Sequence, residues 1–282
     1  MDLKQLVRPI VVGVEDKQQA ALRYALSEAA LKGCGVRIVH AYSMSTAGPA
    51  LLGEDIMEAS AADAYAILDR ARDFIESQET AVLVEYVVEF GAPTQVLQEE
   101  SLKARTLVLG PEDASWYERI LAGEVGSWLS TRAECPVVII PENWYQHEVR
   151  RGGIVVTIDG ATDAHGPLTF AFAAAERRNQ ELHVLHVVPP ATSEQDEEEL
   201  RLNIAEVLAG WADKYPTVRV FRSLVFGETD EACIRSTSLA NLVVVGRPHG
   251  RSLPFSLTRP VAVSVLKEAN CPVAVVPTNY DG

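Results

Sequence analysis

Hydrophobic residues recur along the chain with two alternating periods. Short apolar runs rich in β-branched residues, such as Ile10–Val14 and Val36–Tyr42, are separated by longer segments whose apolar residues are spaced three and four apart. Gln18–Lys32 is a clear segment of the second kind, and Gly33 follows it directly. The first pattern predicts buried strands, and the second predicts amphipathic helices that end at a glycine.

The first half of the chain is predicted to contain five strands that alternate with four helices. The predicted strands are Ile10–Val14, Val36–Tyr42, Val82–Val88, Thr106–Leu109 and Val137–Ile140. The predicted helices are Gln18–Lys32, Glu54–Gln78, Pro93–Leu102 and Gly123–Arg132. Strands that alternate with helices form a parallel sheet with right-handed crossovers and helices on both faces.

The second half repeats this order of elements. Its predicted strands are Ile154–Ile158, Leu182–Val188, Val218–Leu224, Leu242–Val245 and Val273–Val276. Its predicted helices are Pro167–Arg178, Glu194–Lys214, Glu228–Thr237 and Pro260–Glu268. The polar stretch Pro141–Gly153 is predicted to link the two halves.

Short sequence motifs repeat at one fixed spacing. Three of them recur 136 positions later: Phe90-Gly91 as Phe226-Gly227, Leu107–Gly110 as Val243–Gly246, and Cys135–Val137 as Cys271–Val273. A period of this length is the size of a domain, and 282 residues suit two domains that each bury their own core. The sequence therefore predicts two copies of one α/β domain, over residues 1–146 and 147–282.

Composition excludes several classes of protein. The net charge of −14 argues against a general nucleic-acid binder, whose phosphate contacts need clustered basic residues. The apolar runs are only strand-sized, so no membrane span is expected, and Met1–Lys4 does not resemble the start of a signal peptide. Four cysteines are too few for a disulfide framework, and Cys135 and Cys271 occupy equivalent, interior positions. The sequence therefore predicts buried thiols in a cytoplasmic protein.

The order and spacing of several short markers resemble those of tandem universal stress proteins. The markers are Val11–Glu15 and Val155–Asp159 at the first strand, Val39-His40 and Leu185-His186 at the second, Gly110 and Gly246 at the fourth, and the two Cys-Pro-Val strands. The resemblance covers nearly all of both halves. It implies a Rossmann-like five-stranded sheet of order 3-2-1-4-5 in each half, and a role in the stress response. It also implies that the two last strands pair within the chain as a pseudo-dimer, which leaves a monomer or a homodimer of tandem chains open.

The resemblance also implies a possible site for ATP. Nucleotide-binding members hold ATP with an acidic residue after the first strand and a loop after the fourth strand that reads Gly-two-Gly-nine-Gly-Ser/Thr. Glycines in such a loop allow backbone N–H groups to approach phosphates, and the helix that follows favours anions at its N-terminus.

The first copy departs from this loop pattern towards negative charge. Glu15, Gly110 and Gly123 keep the acidic residue and two glycines, but Asp113 and Glu124 replace the second glycine and the hydroxyl residue. Carboxylates at these positions repel phosphate oxygens. We therefore expect the first copy to disfavour a free triphosphate, unless a magnesium ion bridges the carboxylates and the phosphates.

The second copy departs in the opposite direction. Its loop after the fourth strand contains Arg247, Arg251 and Arg259 and no acidic residue. Arginine can clamp a phosphate in bidentate fashion. The candidate nucleotide-binding residues of the second copy are Asp159, Gly160, Gly246, Arg247, His249, Gly250 and Arg259.

Three functions remain open from the sequence. The first is a binding protein that senses an adenine nucleotide in its second copy. The second is an interaction scaffold without ligand, in which the arginines pair with acidic residues and both pockets are degenerate. Trp116, Tyr117 and Phe255 fit either reading, as plugs of empty pockets or as part of a surface for an unknown protein partner. The third function, ATP hydrolysis, has the least support, because no residue is placed to activate water.

No other motif predicts catalysis or a metal site. His183 and His186 lie three apart on a strand and therefore point to opposite faces, which argues against joint metal binding. His40 and His186 occupy matched strand ends, where a packed histidine is favoured over a catalytic base. His249 is the histidine that lies in the candidate loop.

Overall fold

The computed structural model describes residues 8–15, 18–43, 54–110, 129, 132–141, 144, 152–158, 164–188, 192–247, 265 and 268–282. The chain divides into two units, Met1–Asn143 and Trp144–Gly282. Each unit is built around a parallel sheet.

In the described part of the first unit, the sheet has five strands. The elements in chain order are β1 (Ile10–Gly13), α1 (Gln19–Lys32), β2 (Val36–Tyr42), α2 (Glu54–Glu76), β3 (Val84–Phe90), α3 (Pro93–Ser101), β4 (Thr106–Leu109) and β5 (Val137–Ile139). The strands are parallel and lie in the order β3-β2-β1-β4-β5.

The second unit repeats this architecture. Its elements are β6 (Ile154–Thr157), α4 (His165–Arg178), β7 (Leu182–Val188), α5 (Glu194–Val207), α6 (Trp211–Lys214), β8 (Val220–Phe226), α7 (Thr229–Thr237), β9 (Leu242–Gly246) and β10 (Val273–Val276). The strands are parallel in the order β8-β7-β6-β9-β10. Both sheets therefore have the order 3-2-1-4-5 when the strands of each copy are counted separately, and the predicted fold class is confirmed.

Burial along the strands explains why their sequences are almost continuously apolar. β1, β4 and β10 are buried over their whole length. Parallel strands are covered by helices on both faces, so that neither face can be polar. The outermost strands β3 and β8 are only half-buried or exposed, and they carry the charged residues Glu85, Glu89 and Arg222.

The outermost strand of each unit begins and ends two residues later than the sequence predicts. The N–H of Val82 is bonded to the Thr80 hydroxyl oxygen, and the N–H of Val218 to the Tyr215 carbonyl, so both residues belong to turns. At the other end, β2 continues to Tyr42 and pairs there with Phe90. The apolar pattern alone does not distinguish a valine in a turn from one in a strand.

The predicted helix Glu194–Lys214 is interrupted in the structure. Gly210 has φ 81°, which breaks the helix between α5 and the short α6. Only glycine adopts this left-handed conformation without strain. The predicted helix end at Gly33 is confirmed, because this residue is left-handed with φ 62°.

One hydrogen bond pattern recurs in both units and ties the third helix of each copy to the segment before its last strand. The hydroxyl of Ser101 accepts from the Glu134 N–H at 3.1 Å, and the hydroxyl of Thr237 accepts from the Asn270 N–H at the same distance. Both hydroxyl residues are almost fully buried. Their shared spacing of 136 positions shows that the duplication extends to buried polar contacts.

Thr237→Val removes this acceptor while it keeps the shape of the side chain. We expect the second unit to lose about 1–2 kcal/mol of unfolding free energy, because the Asn270 N–H loses its partner. Urea unfolding followed by circular dichroism measures this change. Ser236→Ala is the matched control, since the Ser236 hydroxyl donates to a carbonyl within its own helix. Equal losses in the two variants would contradict this account.

A buried ion pair within α1 lies against β4. The Lys32 ammonium is 3.4 Å from the Glu28 carboxylate, and both side chains are at most 4% exposed. The ammonium also donates to the Thr106 hydroxyl at 3.0 Å. The second unit has Ala174, Arg178 and Leu242 at the matching positions. The two units therefore support the same helix–strand contact with different chemistry.

The segment that follows β10 packs against the start of α4. The Gly166 N–H donates to the Thr278 carbonyl at 3.0 Å, and the rings of Phe170 and Tyr280 lie 5.9 Å apart in an edge-to-face contact. A Cβ atom at Gly166 would lie 1.9 Å from the Pro277 carbonyl oxygen. This approach of backbone to backbone requires glycine at position 166.

Candidate functional site

The carboxyl ends of β1, β2 and β4 enclose a small cavity in the first unit. This is the place where doubly wound sheets bind ligands, because the strand order reverses there. The cavity has a volume of about 40 Å³ and is lined by Gly13, Val14, Glu15, Gln18, Val39, Ala41, Pro93, Leu97 and Leu109. Ligand pockets commonly have volumes of about 300–1,000 Å³. The space between these described residues is therefore smaller than an ordinary ligand pocket.

Two side chains fill this crevice. Leu97 reaches from α3 so closely that a Cβ atom at Gly13 would lie 3.0 Å from its Cδ1 atom. Gln18, which is only 3% exposed, precedes α1 and donates from Nε2 to the Gly110 carbonyl at 3.3 Å. The carbonyl at the end of the fourth strand is thus occupied by the protein itself.

The glycines at the ends of the two fourth strands have a packing role. A Cβ atom at Gly110 would lie 3.1 Å from the Cβ of Ala21, and one at Gly246 would lie 3.3 Å from the Cγ of Pro167. Ala21 and Pro167 occupy matching positions in α1 and α4. The close approach of the first helix of each copy to the end of its fourth strand therefore favours glycine at both positions.

The second unit has a different crevice floor. In the register of the repeat, Thr157 replaces Gly13 at the end of the first strand, and Cys233 replaces Leu97 on the third helix. Thr157 lies beside the Cys233 thiol. Burial raises the pKa of the Cys233 thiol to about 11, although the Thr157 side chain acts in the opposite direction. At neutral pH the floor of this crevice is therefore polar and uncharged.

Two matched histidines lie beside these crevices. His40 Nδ1 is 2.7 Å from the Val14 carbonyl oxygen, and His186 Nδ1 is 2.9 Å from the Ile158 carbonyl oxygen. Both rings are buried. His183 is half-buried and stacks on Phe221. His40 and His186 thus tie the second strand of each copy to the end of the first, which agrees with the packing role predicted for them.

The predicted site residues fall into two groups. Glu15 and Gly110 lie at the first crevice, whereas Gly246 ends β9 and Arg247 follows it, with the Arg247 N–H bonded to the Val276 carbonyl at 2.8 Å. The other predicted residues lie outside the described part of the chain: Gly123, Asp159, Gly160, His249, Gly250 and Arg259. Trp116, Tyr117 and Phe255 also lie outside it.

Four residues of the crevices are absent from the sequence-based prediction. They are Gln18 and Leu97 in the first unit and Thr157 and Cys233 in the second. An alignment of the two halves could have identified them, because it places Gly13 opposite Thr157 and Leu97 opposite Cys233. A search for the phosphate loop alone passes over these positions.

All four cysteines are buried and free, as predicted. Within the described ranges, no cluster of three or more His, Cys, Asp or Glu residues is arranged to hold a metal ion. Within the same ranges, no helix combines the length and the apolar character needed to cross a bilayer.

Comparisons with known proteins agree with the duplicated architecture. The model of the universal stress protein family matches residues 7–141 and again residues 151–277. A universal stress protein of Mycobacterium tuberculosis is 29% identical over 94% of this chain and 96% of its own length. One of Mycolicibacterium smegmatis is 28% identical over 95% and 96% of the two chains. The crystal structure of a universal stress protein from Archaeoglobus fulgidus covers 96% of both chains with a TM-score of 0.71 at 17% identity.

Proposed function

Because the chain belongs to the universal stress protein family, we propose that it acts in the stress response by binding, and that its second domain holds an adenine nucleotide. The observation that carries the proposal is the difference between the two crevice floors. Leu97 lies over Gly13 in the first domain, whereas Cys233 and Thr157 occupy these places in the second.

We expect the first domain to disfavour a nucleotide. Leu97 and Gln18 leave about 40 Å³ between the lining residues. Opening this space would expose the buried Leu97 and break the bond from Gln18 to Gly110. The acidic residues Asp113 and Glu124 of the following loop add a repulsion to phosphate.

The second domain offers groups suited to a nucleotide. Thr157 is half-buried on the crevice floor and supplies a hydroxyl without a charge that must be desolvated, while the fully buried Cys233 thiol behind it stays neutral. Asp159 follows the first strand of this domain in sequence, and Arg247, Arg251 and Arg259 are the basic residues of the loop after its fourth strand. Arginines are the side chains best suited to bidentate contact with phosphate. We propose no hydrolytic step for this site.

The proposal is tested by titrating the full chain with a fluorescent ATP analogue, with and without magnesium. Arg259→Ala is expected to weaken binding about tenfold or more, because one charge-assisted contact to phosphate contributes about 1.5–3 kcal/mol. Arg119→Ala in the loop of the first domain is the matched control and is expected to leave the affinity unchanged. Loss of binding in the control variant alone would place the ligand in the wrong domain and refute the proposal.

Exchanging a residue between the crevice floors gives a second test of the same proposal. Cys233→Leu introduces the side chain that closes the first crevice, so we expect it to abolish nucleotide binding while the chain stays folded. Leu97→Cys in the first domain is the matched exchange, and it is expected to leave nucleotide affinity as it is. A chain that binds no ATP, ADP or AMP at millimolar concentration would instead support the alternative of an interaction scaffold.

A further inference from the structure

The outermost strands of the two sheets carry opposite charges. β3 and β8 each have seven residues and lie at the outer position of their sheet. β3 contains Glu85 and Glu89 and no basic residue, whereas β8 contains Arg222 and no acidic residue. Each strand also exposes a large aromatic side chain at its end, since Phe90 is 58% and Phe226 is 45% exposed.

Within the ranges that the structure describes, no strand pairs with the outer backbone edge of β3 or of β8. In β8, the bonds from Leu182 N–H to the Arg219 carbonyl and from Gly227 N–H to the Val188 carbonyl place the backbone groups of odd-numbered residues towards β7. Backbone groups alternate along a strand, so those of the even-numbered residues, Arg222 among them, point outwards. The same reasoning applies to β3, where Gly91 N–H donates to Tyr42. Neither strand contains a proline or a lysine, the residues that commonly protect such edges.

A basic pocket accompanies the edge of β8. It has a volume of about 220 Å³ and is lined by Arg201, Ile204, Arg222, Ser223 and Leu224. Arg201 is 3.9 Å from Glu197, at the limit of an ion pair. Within the part of the chain that the structure describes, Arg222 has neither a hydrogen bond nor an ion pair. The pocket is therefore suited to accept a carboxylate.

The acidic residues of β3 share one face of the sheet. Arg37 connects this face to α3, because its guanidinium lies 2.6 Å from Glu85 and 2.8 Å from Glu100. Burial lowers the pKa of Arg37, but its hydrogen bonds to Glu100 and Glu85 outweigh that effect, and the pKa is raised overall. Glu89 lies four residues after Glu85 on the same face of β3, and among the described residues it has no ion-pair partner. Glu89 is therefore accessible to a second molecule.

We propose that β3 of one copy of the chain pairs in parallel with β8 of a second copy, so that Glu85 and Glu89 meet Arg222. The pocket lining shows that Arg222 lies on the α5 face of its sheet. When two outer edges pair in parallel, one sheet is rotated by half a turn about the strand direction relative to the other. The α3 face of one molecule then continues into the α5 face of the next molecule, so that Glu85, Glu89 and Arg222 lie on the same side of the joined sheet.

This joint uses two different surfaces of the chain. Each copy keeps one unused edge after pairing, so the contact is heterologous and adds further copies in a row. The proposal does not depend on nucleotide binding, because neither strand belongs to the crevices.

Sedimentation velocity of the full chain over a range of concentrations tests the proposal. The average mass is expected to rise with concentration at low salt and to fall when salt screens the ion pairs. Arg222→Glu or Glu89→Arg is expected to weaken association about tenfold or more, because each places like charges across the joint. Arg177→Glu, on the exposed side of α4, is the matched control and should change nothing.

Mixing two charge-reversal variants distinguishes this joint from other modes of association. An equimolar mixture of the Arg222→Glu and Glu89→Arg chains is expected to recover the association that each lacks alone, because each variant edge then finds an opposite charge. A chain whose mass equals one copy at all concentrations overturns the proposal. So does association that neither variant weakens, or a mixture that remains as dissociated as its components.

Discussion

Lys32→Met is expected to lower the unfolding free energy of the first domain by about 3–5 kcal/mol, the usual cost of removing one partner from a buried ion pair. The Glu28 carboxylate is 2% exposed, and in this variant it stays buried without the ammonium that lies 3.4 Å away. The Thr106 hydroxyl also loses the donor at 3.0 Å. Urea unfolding of the full chain measures the loss, with the two domains fitted as separate transitions where the curves require it.

The second domain supplies the control and the compensating change. Arg178→Met alters the matching position, where the guanidinium is part-buried and bonded to a backbone carbonyl, and is expected to cost at most about 1.5–3 kcal/mol, less than Lys32→Met. The double variant Glu28→Ala/Lys32→Met removes both charges and resembles the second domain, which has Ala174 at the first of these positions. It is expected to be more stable than Lys32→Met alone. A double variant less stable than the single one would show that the cost has another origin.

Gly166→Ala is expected to destabilise the second domain by about 1–3 kcal/mol, which is typical of overpacking in a tight contact. The new methyl group would lie 1.9 Å from the Pro277 carbonyl oxygen, so α4 and the segment after β10 must move apart. This direction is opposite to the ordinary effect, since replacing a glycine within a helix by alanine usually stabilises it by about 1 kcal/mol. The shift of the thermal midpoint measures the effect.

A shortened chain identifies the cause of that loss. When the chain ends after Val276, the carbonyl that the methyl group would meet is no longer present. Gly166→Ala should then be neutral or stabilising in the shortened chain, although the truncation itself lowers stability. Position 20 of the first domain matches position 166 and already holds alanine. If the substitution costs the same in both lengths, the contact with Pro277 is not responsible.

The alternation of strands and helices could be predicted from sequence because burial imposes it directly. β1 and β4 are buried throughout and almost entirely apolar because helices cover both faces of the sheet, and the helix ending at Gly33 carries its own stop signal. The predicted ends of strands and helices are wrong where apolar residues lie in turns, or where their helical spacing continues past a break in the helix. Val82 and Val218 belong to turns, and Gly210 breaks a helix whose apolar spacing continues across it.

The candidate site was less accessible to prediction, because its residues depend on register. The loop pattern pointed to Gly110 and Gly246, and both lie at the ends of fourth strands as expected. Leu97 and Cys233 carry no motif, since each is one of several apolar residues in a helix. Their role emerges only when α3 and α7 are placed over the ends of the first strands. The buried ion pair between Glu28 and Lys32 escaped prediction for the same reason.

The packing of α1 and α4 against the fourth strands bears on how related sequences are interpreted. Ala21 and Pro167 would press on any side chain at positions 110 and 246, so mutation there is penalised whether or not a phosphate is ever bound. Evolution can therefore discard the ligand and still retain this glycine. In a related protein, this glycine shows only that the first helix packs closely against the fourth strand. Whether that protein binds a nucleotide has to be judged from the loop residues that follow the glycine.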